Sequence, residues 1–277
     1  MIRTLRGIEV NTISPPVRSR QFAPFLCAIL LLSAGCKKND SSVSVSTTIQ
    51  PITQIDPATA GSVEGTVHLV GKAPERIEID MAQDPACAMS PYGKNMTEGI
   101  ITQDSKSQNG KLANVYVYVK DGLGNKFYVA PNTPAVLDQK GCRYVPHVLA
   151  AMVGQPIEFR NSDPTMHNVH MQPTIAGNQQ VDISQPPNGG TTRHVFANPE
   201  LMMPVRCNNH PWMEAFLNIS SNPFFAVTGD DGHFAIHGLP PGTYTLVAVQ
   251  EQLGPQQATV TVTTHGTATA DFSFQAK

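Results

Sequence analysis

From residue 61 onward the chain alternates apolar and polar residues. Val63, Gly65, Val67 and Leu69 fall on one side of a first run, and Val115, Val117 and Val119 on one side of a second. Ile157 and Phe159 face one way while Glu158 and Arg160 face the other, and Ala215, Leu217 and Ile219 repeat the pattern. A period of two is that of a half-buried β-strand. Turn compositions separate the runs, as at Thr228, Gly229, Asp230, Asp231, Gly232 and again at Pro240, Pro241, Gly242. Phe234 and Ile236, then Tyr244, Leu246 and Ala248, then Val260 and Val262, then Phe272 and Phe274 supply further strands. No helix longer than two turns is predicted, so the fold class is all-β.

The first 60 residues follow other rules. Arg3, Arg6, Arg18 and Arg20 precede an apolar stretch from Phe22 to Leu32, too short to span a bilayer but suited to a secretory signal. Ser33, Ala34 and Gly35 then lead to Cys36, which resembles a bacterial lipobox, although Ser33 stands where that family has a large aliphatic residue. The resemblance implies a signal over 1–35, lipidation of Cys36 and, with Lys37 next to it, a lipid anchor in the outer membrane on the periplasmic route. Residues 36–60 are rich in Ser and Thr and read as a tether.

Composition narrows the picture. The 277 residues include 23 Pro and 21 Gly, which favours many turns and argues against a coiled coil. Formal net charge is −2 and no basic run extends beyond Lys37 and Lys38, so nucleic acid is excluded as a partner. No G-x-S-x-G or H-E-x-x-H pattern is present, and Gly65 to Lys72 departs from a phosphate loop in its spacing and in Ala73.

The chemistry gathers between residues 154 and 213. A turn, a strand and a second turn lead to Met166, His167, Asn168, Val169 and His170; the loop Cys207, Asn208, Asn209, His210, Pro211, Trp212, Met213 follows, a C-x2-H-x2-M pattern. Such a loop places Cys, His and Met on one centre, and a histidine from a neighbouring strand end completes it. One thiolate, two imidazoles and one thioether form a donor set suited to copper, and zinc would gain little from the thioether. Of the five cysteines, Cys27 leaves with the signal, Cys36 carries lipid and Cys207 binds metal. Cys87 and Cys142 are then expected to pair as a disulfide in an oxidising compartment.

These residues resemble the cupredoxins, with a spacing most similar to amicyanin. The resemblance covers about residues 140–220. It implies a Greek-key β-sandwich holding one type 1 copper through His167, Cys207, His210 and Met213, with Asn168 tying the two ligand loops by hydrogen bonds. It also implies an electron carrier whose His210 edge reaches an apolar surface where a redox partner protein docks. A second resemblance lies around it. Thr228 to Phe234 and Pro240 to Tyr244 match the T-x-x-x-G-x-F and P-x-G-x-Y turns of the carboxypeptidase regulatory-like domain, a small transthyretin-like sandwich, and residues 61–67 and 112–117 resemble its first two strands. Two organisations fit these marks: a discontinuous one, in which 61–129 opens this sandwich, 130–222 forms the copper domain and 223–277 completes the first, is expected over two domains in simple succession. Pro146, His147 and Val148, with Asn161, Ser162 and Asp163, also match marks of periplasmic proteins labelled methylamine-utilisation-like, though Val249 and Gln250 stand where that group has a Trp-His pair.

Other candidates are weighed on their positions. His170 is expected on the same face of its strand as His167, as a supporting or core group. His147 is expected to be partly exposed and hydrogen-bonded, and His194, His233, His237 and His265 to lie on polar faces without a specific role. Met202 and Met203 edge the copper loop or fill gaps, and Asp230 with Asp231 belongs to a turn rather than a calcium site. The leading expectation is a copper electron carrier rather than an enzyme, because four protein donors leave no open coordination position. The alternative is a copper-storage or delivery protein, or a surface- or carbohydrate-binding sandwich.

Overall fold

The computed structural model describes residues 51–103 and 107–277. The arginine-flanked apolar stretch, Cys27, the lipidation residue Cys36 and the tether up to residue 50 lie outside the described residues. Among the described residues no helix is long and apolar enough to cross a membrane.

The architecture is all-β. The chain opens with β1 (Gly61–Val70), passes a single-turn helix α1 (Pro85–Ala88), and continues into β2 (Asn109–Lys111) and β3 (Tyr116–Asp121). Then come β4 (Ala135–Gln139), β5 (Tyr144–Val145), β6 (Val148–Met152), β7 (Ile157–Asn161), β8 (His167–Met171), β9 (Val181–Gln185), β10 (Thr192–His194), β11 (Glu200–Arg206) and β12 (Glu214–Ser220). The last strands are β13 (Phe225–Val227), β14 (His233–Leu239), β15 (Gly242–Gln250), β16 (Gly254–Val262), β17 (Thr267–Thr269) and β18 (Phe272–Gln275).

Pairing sorts these strands into four sheets around two cores. The first half of β1 lies between β14 and β17, and its second half between β2 and β18. The sheet β13-β3-β15-β16 shares its core, where Val63, Val67 and Leu69 join Val115, Val117, Val119, Leu246 and Val260 in one apolar cluster. The sheets β10-β7-β4-β5 and β6-β12-β11-β8-β9 enclose a second cluster that includes Leu137, Phe159, Val169, Val205 and Leu217. Strands β1 to β3 thus pair only with one another and with β13 to β18, while β4 to β12 pair among themselves.

Two departures from simple alternation matter for the site. Glu158, read as a polar-face residue, is buried because Arg160 and Arg193 fold over its carboxylate at 2.6 and 3.0 Å. The stretch between β1 and β2 also leaves the first sandwich. A division at residue 130 assigns it there, yet Met81 and Cys87 pack into the second core. Cys87 is disulfide-bonded to Cys142, with a Cα–Cα distance of 5.6 Å. Backbone hydrogen bonds from Ile79 to Asn95 and from Thr97 to Ile77 shape this stretch into a strap. Asp84 starts α1 as its N-cap, accepting from the Ala86 N–H at 2.8 Å, with Pro85 at the first helical position where its missing N–H costs nothing.

Candidate metal centre

The donors come from two ends of neighbouring strands. His167 is the first residue of β8, and Cys207 follows directly on β11, which pairs with β8 through Val205 and Arg206. The turn from β11 to β12 is closed at both ends: the Met213 N–H donates to the His210 carbonyl at 2.9 Å, and the Cys207 N–H to the Met213 carbonyl at 3.4 Å. This fold brings His167, Cys207 and His210 together, each offering a ligand atom within 4.8 Å of the others. The two Nδ1 atoms are 2.9 Å apart, and His210 Nδ1 is 3.6 Å from the Cys207 sulfur. Met213 is buried in the same core, in the turn that carries two of the three donors. All four residues are at most 4% exposed.

The outward nitrogens of the imidazoles are also engaged. His167 Nε2 lies 2.9 Å from Asp163 Oδ2, and His210 Nε2 lies 2.9 Å from Asp84 Oδ2. A carboxylate accepts only, so each Nε2 carries the proton and each Nδ1 turns a lone pair toward the other. Two lone pairs facing at 2.9 Å repel unless a proton or a metal cation lies between them. A carboxylate behind each imidazole is the arrangement that orients histidine ligands in metal sites.

Hydrogen bonds fix the rest. The Asn168 N–H donates to the Cys207 sulfur at 3.3 Å, while the Asn168 side-chain oxygen accepts from the Asn208 N–H at 3.4 Å, so this residue links the two ligand segments. Burial alone raises the Cys207 thiol, but the adjacent His167 imidazole, the Asn209 and Asn168 N–H groups and the His210 imidazole outweigh it and bring it down to about 7. Burial disfavours the His167 cation, yet Asp163 and Cys207 overcome it and hold this histidine above its ordinary range. Burial likewise opposes ionisation of Asp84, but Thr165, His210 and two N–H groups of α1 draw it down to about 2. Asp163 is lowered in the same way by His167 and by the N–H groups of Cys142 and Gly141, against its burial.

Several expectations are corrected here. His210 does not present an edge at the surface. It is 4% exposed, covered by Asp84 and the Cys87 sulfur 3.9 Å away. The side chain nearer the surface is Trp212, half-buried, with its ring 5.0 Å from that of His210 and its indole N–H on the Cys142 carbonyl. His170 is three residues past His167, so β8 turns it to the opposite face, half-buried, with Asp182 at 3.5 Å. His147 is buried rather than partly exposed, held between Glu251 at 2.6 Å and Glu98 at 3.8 Å. Met203 fills the second core, while Met202 sits at a positive φ in an irregular stretch of β11. Asp231 caps its turn by accepting from the His233 N–H at 3.0 Å. Sequence reasoning gave no role to Asp84 or Asp163. The signals present were an Asp-Pro pair able to start a helix and an aspartate four residues before His167.

The carboxypeptidase regulatory-like domain family matches residues 215–275. That stretch includes β12, which pairs in the second sandwich with β6 and β11. No curated protein matches the chain. Among solved structures, a copper-containing nitrite reductase (NirK) from Thermus scotoductus SA-01 aligns at 22% identity and a TM-score of 0.30, over 36% of this chain and 25% of its own. An amicyanin variant in its Cu(I) form aligns at 19% identity and a TM-score of 0.29, over 33% of this chain and 86% of its own. An oxidised amicyanin variant aligns at 15% identity and a TM-score of 0.28, over 38% and 91%.

Proposed function

We propose that this protein is a mononuclear type 1 copper protein that carries single electrons between redox partners in the periplasm, held to the outer membrane through lipid on Cys36. One observation carries the reading: the Nδ1 atoms of His167 and His210 and the Cys207 sulfur converge, while each Nε2 is committed to a carboxylate. A first-row ion about 2.0 to 2.3 Å from nitrogen and sulfur donors spans separations of this size. Thiolate and thioether donors beside two imidazoles favour copper. A copper ion held there supplies a one-electron couple between Cu(I) and Cu(II).

The chain's own residues do the rest. Asp163 and Asp84 hold the imidazoles in one tautomer and orientation, and two backbone N–H groups hold the Cys207 sulfur. Burial excludes water, and donors fixed in this way need little rearrangement when charge changes by one unit. Because His210 is covered, the path outward runs through Trp212, which packs on it and reaches the surface. The second reading, copper storage, is favoured by the burial of every donor.

Adding one equivalent of Cu(II) to the purified protein is expected to give an intense visible thiolate-to-copper absorption band that vanishes on reduction and returns on reoxidation. A band that does not return leaves storage as the function. No band at all removes the type 1 site.

A further inference from the structure

We infer that the Cys87–Cys142 disulfide is a lock on this metal centre, so that the thiol or disulfide state of the strap governs how fast the ion exchanges. The inference rests on the copper reading above and adds its regulation. It comes from a closed circuit of contacts. His210 Nε2 is held by Asp84, which caps α1; α1 carries Cys87; Cys87 is bonded to Cys142; and the Cys142 N–H donates at 2.7 Å to Asp163, which holds His167 Nε2. One covalent bond therefore joins the two carboxylates that orient the two imidazoles.

The local backbone supports this linkage. Gly141 and Cys142 both have positive φ, 69° and 56°, and their successive N–H groups converge on the Asp163 carboxylate at 2.6 and 2.7 Å. Such paired N–H groups form an anion-binding turn, and a non-glycine residue in the left-handed region is retained where its surroundings demand it. On the other limb, Asp84 uses one oxygen on the Ala86 N–H and the other on Thr165 and His210, at 2.7 and 2.9 Å. The Cys87 sulfur lies 3.9 Å from His210 Nε2. An ion leaving the Nδ1 side requires His210 or His167 to swing away, and each swing pulls on the strap. With the disulfide intact, the strap is fixed at both ends.

Opening the bond consumes two electrons and two protons and yields two thiols. A dithiol supplies both and ends as its own disulfide. The strap then keeps only its hydrogen bonds and the packing of Met81 and Ile79 on the second core, and opening of a less firmly anchored segment precedes metal loss.

The test uses the whole protein loaded with Co(II), which reports thiolate and imidazole ligation by its visible spectrum without redox chemistry. Release to excess chelator is timed for the wild type and for the double variant Cys87→Ser with Cys142→Ser. At least tenfold faster release from the variant, with an unchanged Co(II) spectrum, is the expected result. If the variant fails to fold by circular dichroism, the same comparison is made between oxidised wild type and wild type reduced by a dithiol and then freed of it, with thiols counted. Release within twofold of the oxidised wild type overturns the lock while leaving the metal site standing. Failure of the wild type to hold Co(II) or Cu(II) at all removes the proposed function, and the lock with it.

Discussion

His167 and His210 approach each other through Nδ1 at 2.9 Å, and behind each ring stands a different aspartate, Asp163 and Asp84. The two carboxylates come from very different distances along the chain, one four residues before its histidine and the other 126 residues before. Together they assign the proton to the outward nitrogen of each ring. Asp163→Ala or Asp84→Ala frees a ring to turn and change tautomer, and removing partners of this kind costs roughly 10- to 100-fold in metal affinity. Titration with Cu(II) against a competing chelator measures it. A loss below threefold for both variants would mean that neither carboxylate positions its imidazole.

The donors themselves separate by readout. Cys207→Ser is expected to abolish the visible charge-transfer band, because the band requires the thiolate. Met213→Leu keeps burial and shape while removing a weak axial donor, so the band persists and the reduction potential moves. Spectra and voltammetry of both variants check this. Unchanged absorption in the Cys207→Ser protein would place copper elsewhere.

His147 lies where the two sandwiches and the strap meet, and it predicts a pH dependence. Burial disfavours its charged form, but the Glu251 carboxylate and then Glu98 outweigh that and raise it above the ordinary histidine range. Arg143 neutralises Glu98 at 3.0 Å, Glu214 is tied to Arg206 at 2.8 Å, and Glu251 faces His147 directly. A histidine raised in the folded state contributes stability that is fully present below its unfolded value of about 6.5 and is lost as pH rises through the folded value. Thermal melts are therefore expected to fall on the alkaline side. His147→Leu leaves Glu251 buried without its partner and costs about 3 to 5 kcal/mol at acidic to neutral pH. A melting profile with the same alkaline slope in the variant would assign that slope to another group.

Much of this fold was legible because strands declare themselves by period. The turns around Thr228 and Pro240 were readable for the same reason, since Thr228 both accepts from the Val115 N–H and donates to the Leu112 carbonyl. The convergence of the ligand loops was implied by residue types, as thiolate, imidazole and thioether within seven positions leave few other uses. What periodicity does not carry is the strap. Residues 71–103 show no alternation, and beside the disulfide and the packing of Met81 and Cys87 the contacts that bind them are single polar atoms, Asp84 Oδ2 and the Asn95 amide on the Gly141 carbonyl among them. Polar contacts between segments far apart in sequence leave no local pattern. The burial of His210 and His147 went unseen for that reason, since both are covered by carboxylates from other segments.

Gly65 is a case in which pattern and cause differ. It falls on the inward face of β1, where the alternation calls for an apolar side chain, yet a Cβ there would lie 1.8 Å from the Ala270 carbonyl oxygen. The cause is the handover along β1. Its parallel partner changes from β17, paired to Glu64, to β18, paired from Val67, and the chain crosses close over Gly65 between them. The obstructing atom is backbone, so relief requires the strand to move. Gly65→Ala is expected to destabilise by about 3 kcal/mol or more, the upper end of overpacking costs. Urea unfolding of the metal-free protein tests it. A cost below 1 kcal/mol would show that the crossing yields easily.

Glu200 contributes to the acid sensitivity of the second sandwich. At the start of β11 it is buried, and it accepts hydrogen bonds from the Ile175 N–H at 3.0 Å, the Thr174 hydroxyl at 3.0 Å and the Asn178 amide at 3.1 Å. Burial opposes its ionisation, but those donors outweigh it and lower it below the ordinary glutamate range. A carboxylate lowered in the folded state adds stability that is present above its unfolded value near 4.3 and disappears as pH falls through the folded value. Glu200→Gln keeps the shape but offers one acceptor and an amide that has no acceptor among these donors. It is expected to cost roughly 1.5 to 3 kcal/mol at pH 7, the range for hydrogen bonds to a charged group. The gap between variant and wild type should close as pH drops, because protonation weakens the wild type in the same way. Unfolding midpoints at neutral pH and near pH 3 decide the matter, and a gap that stays constant across that range would mean the carboxylate charge is not what holds the 174–178 loop.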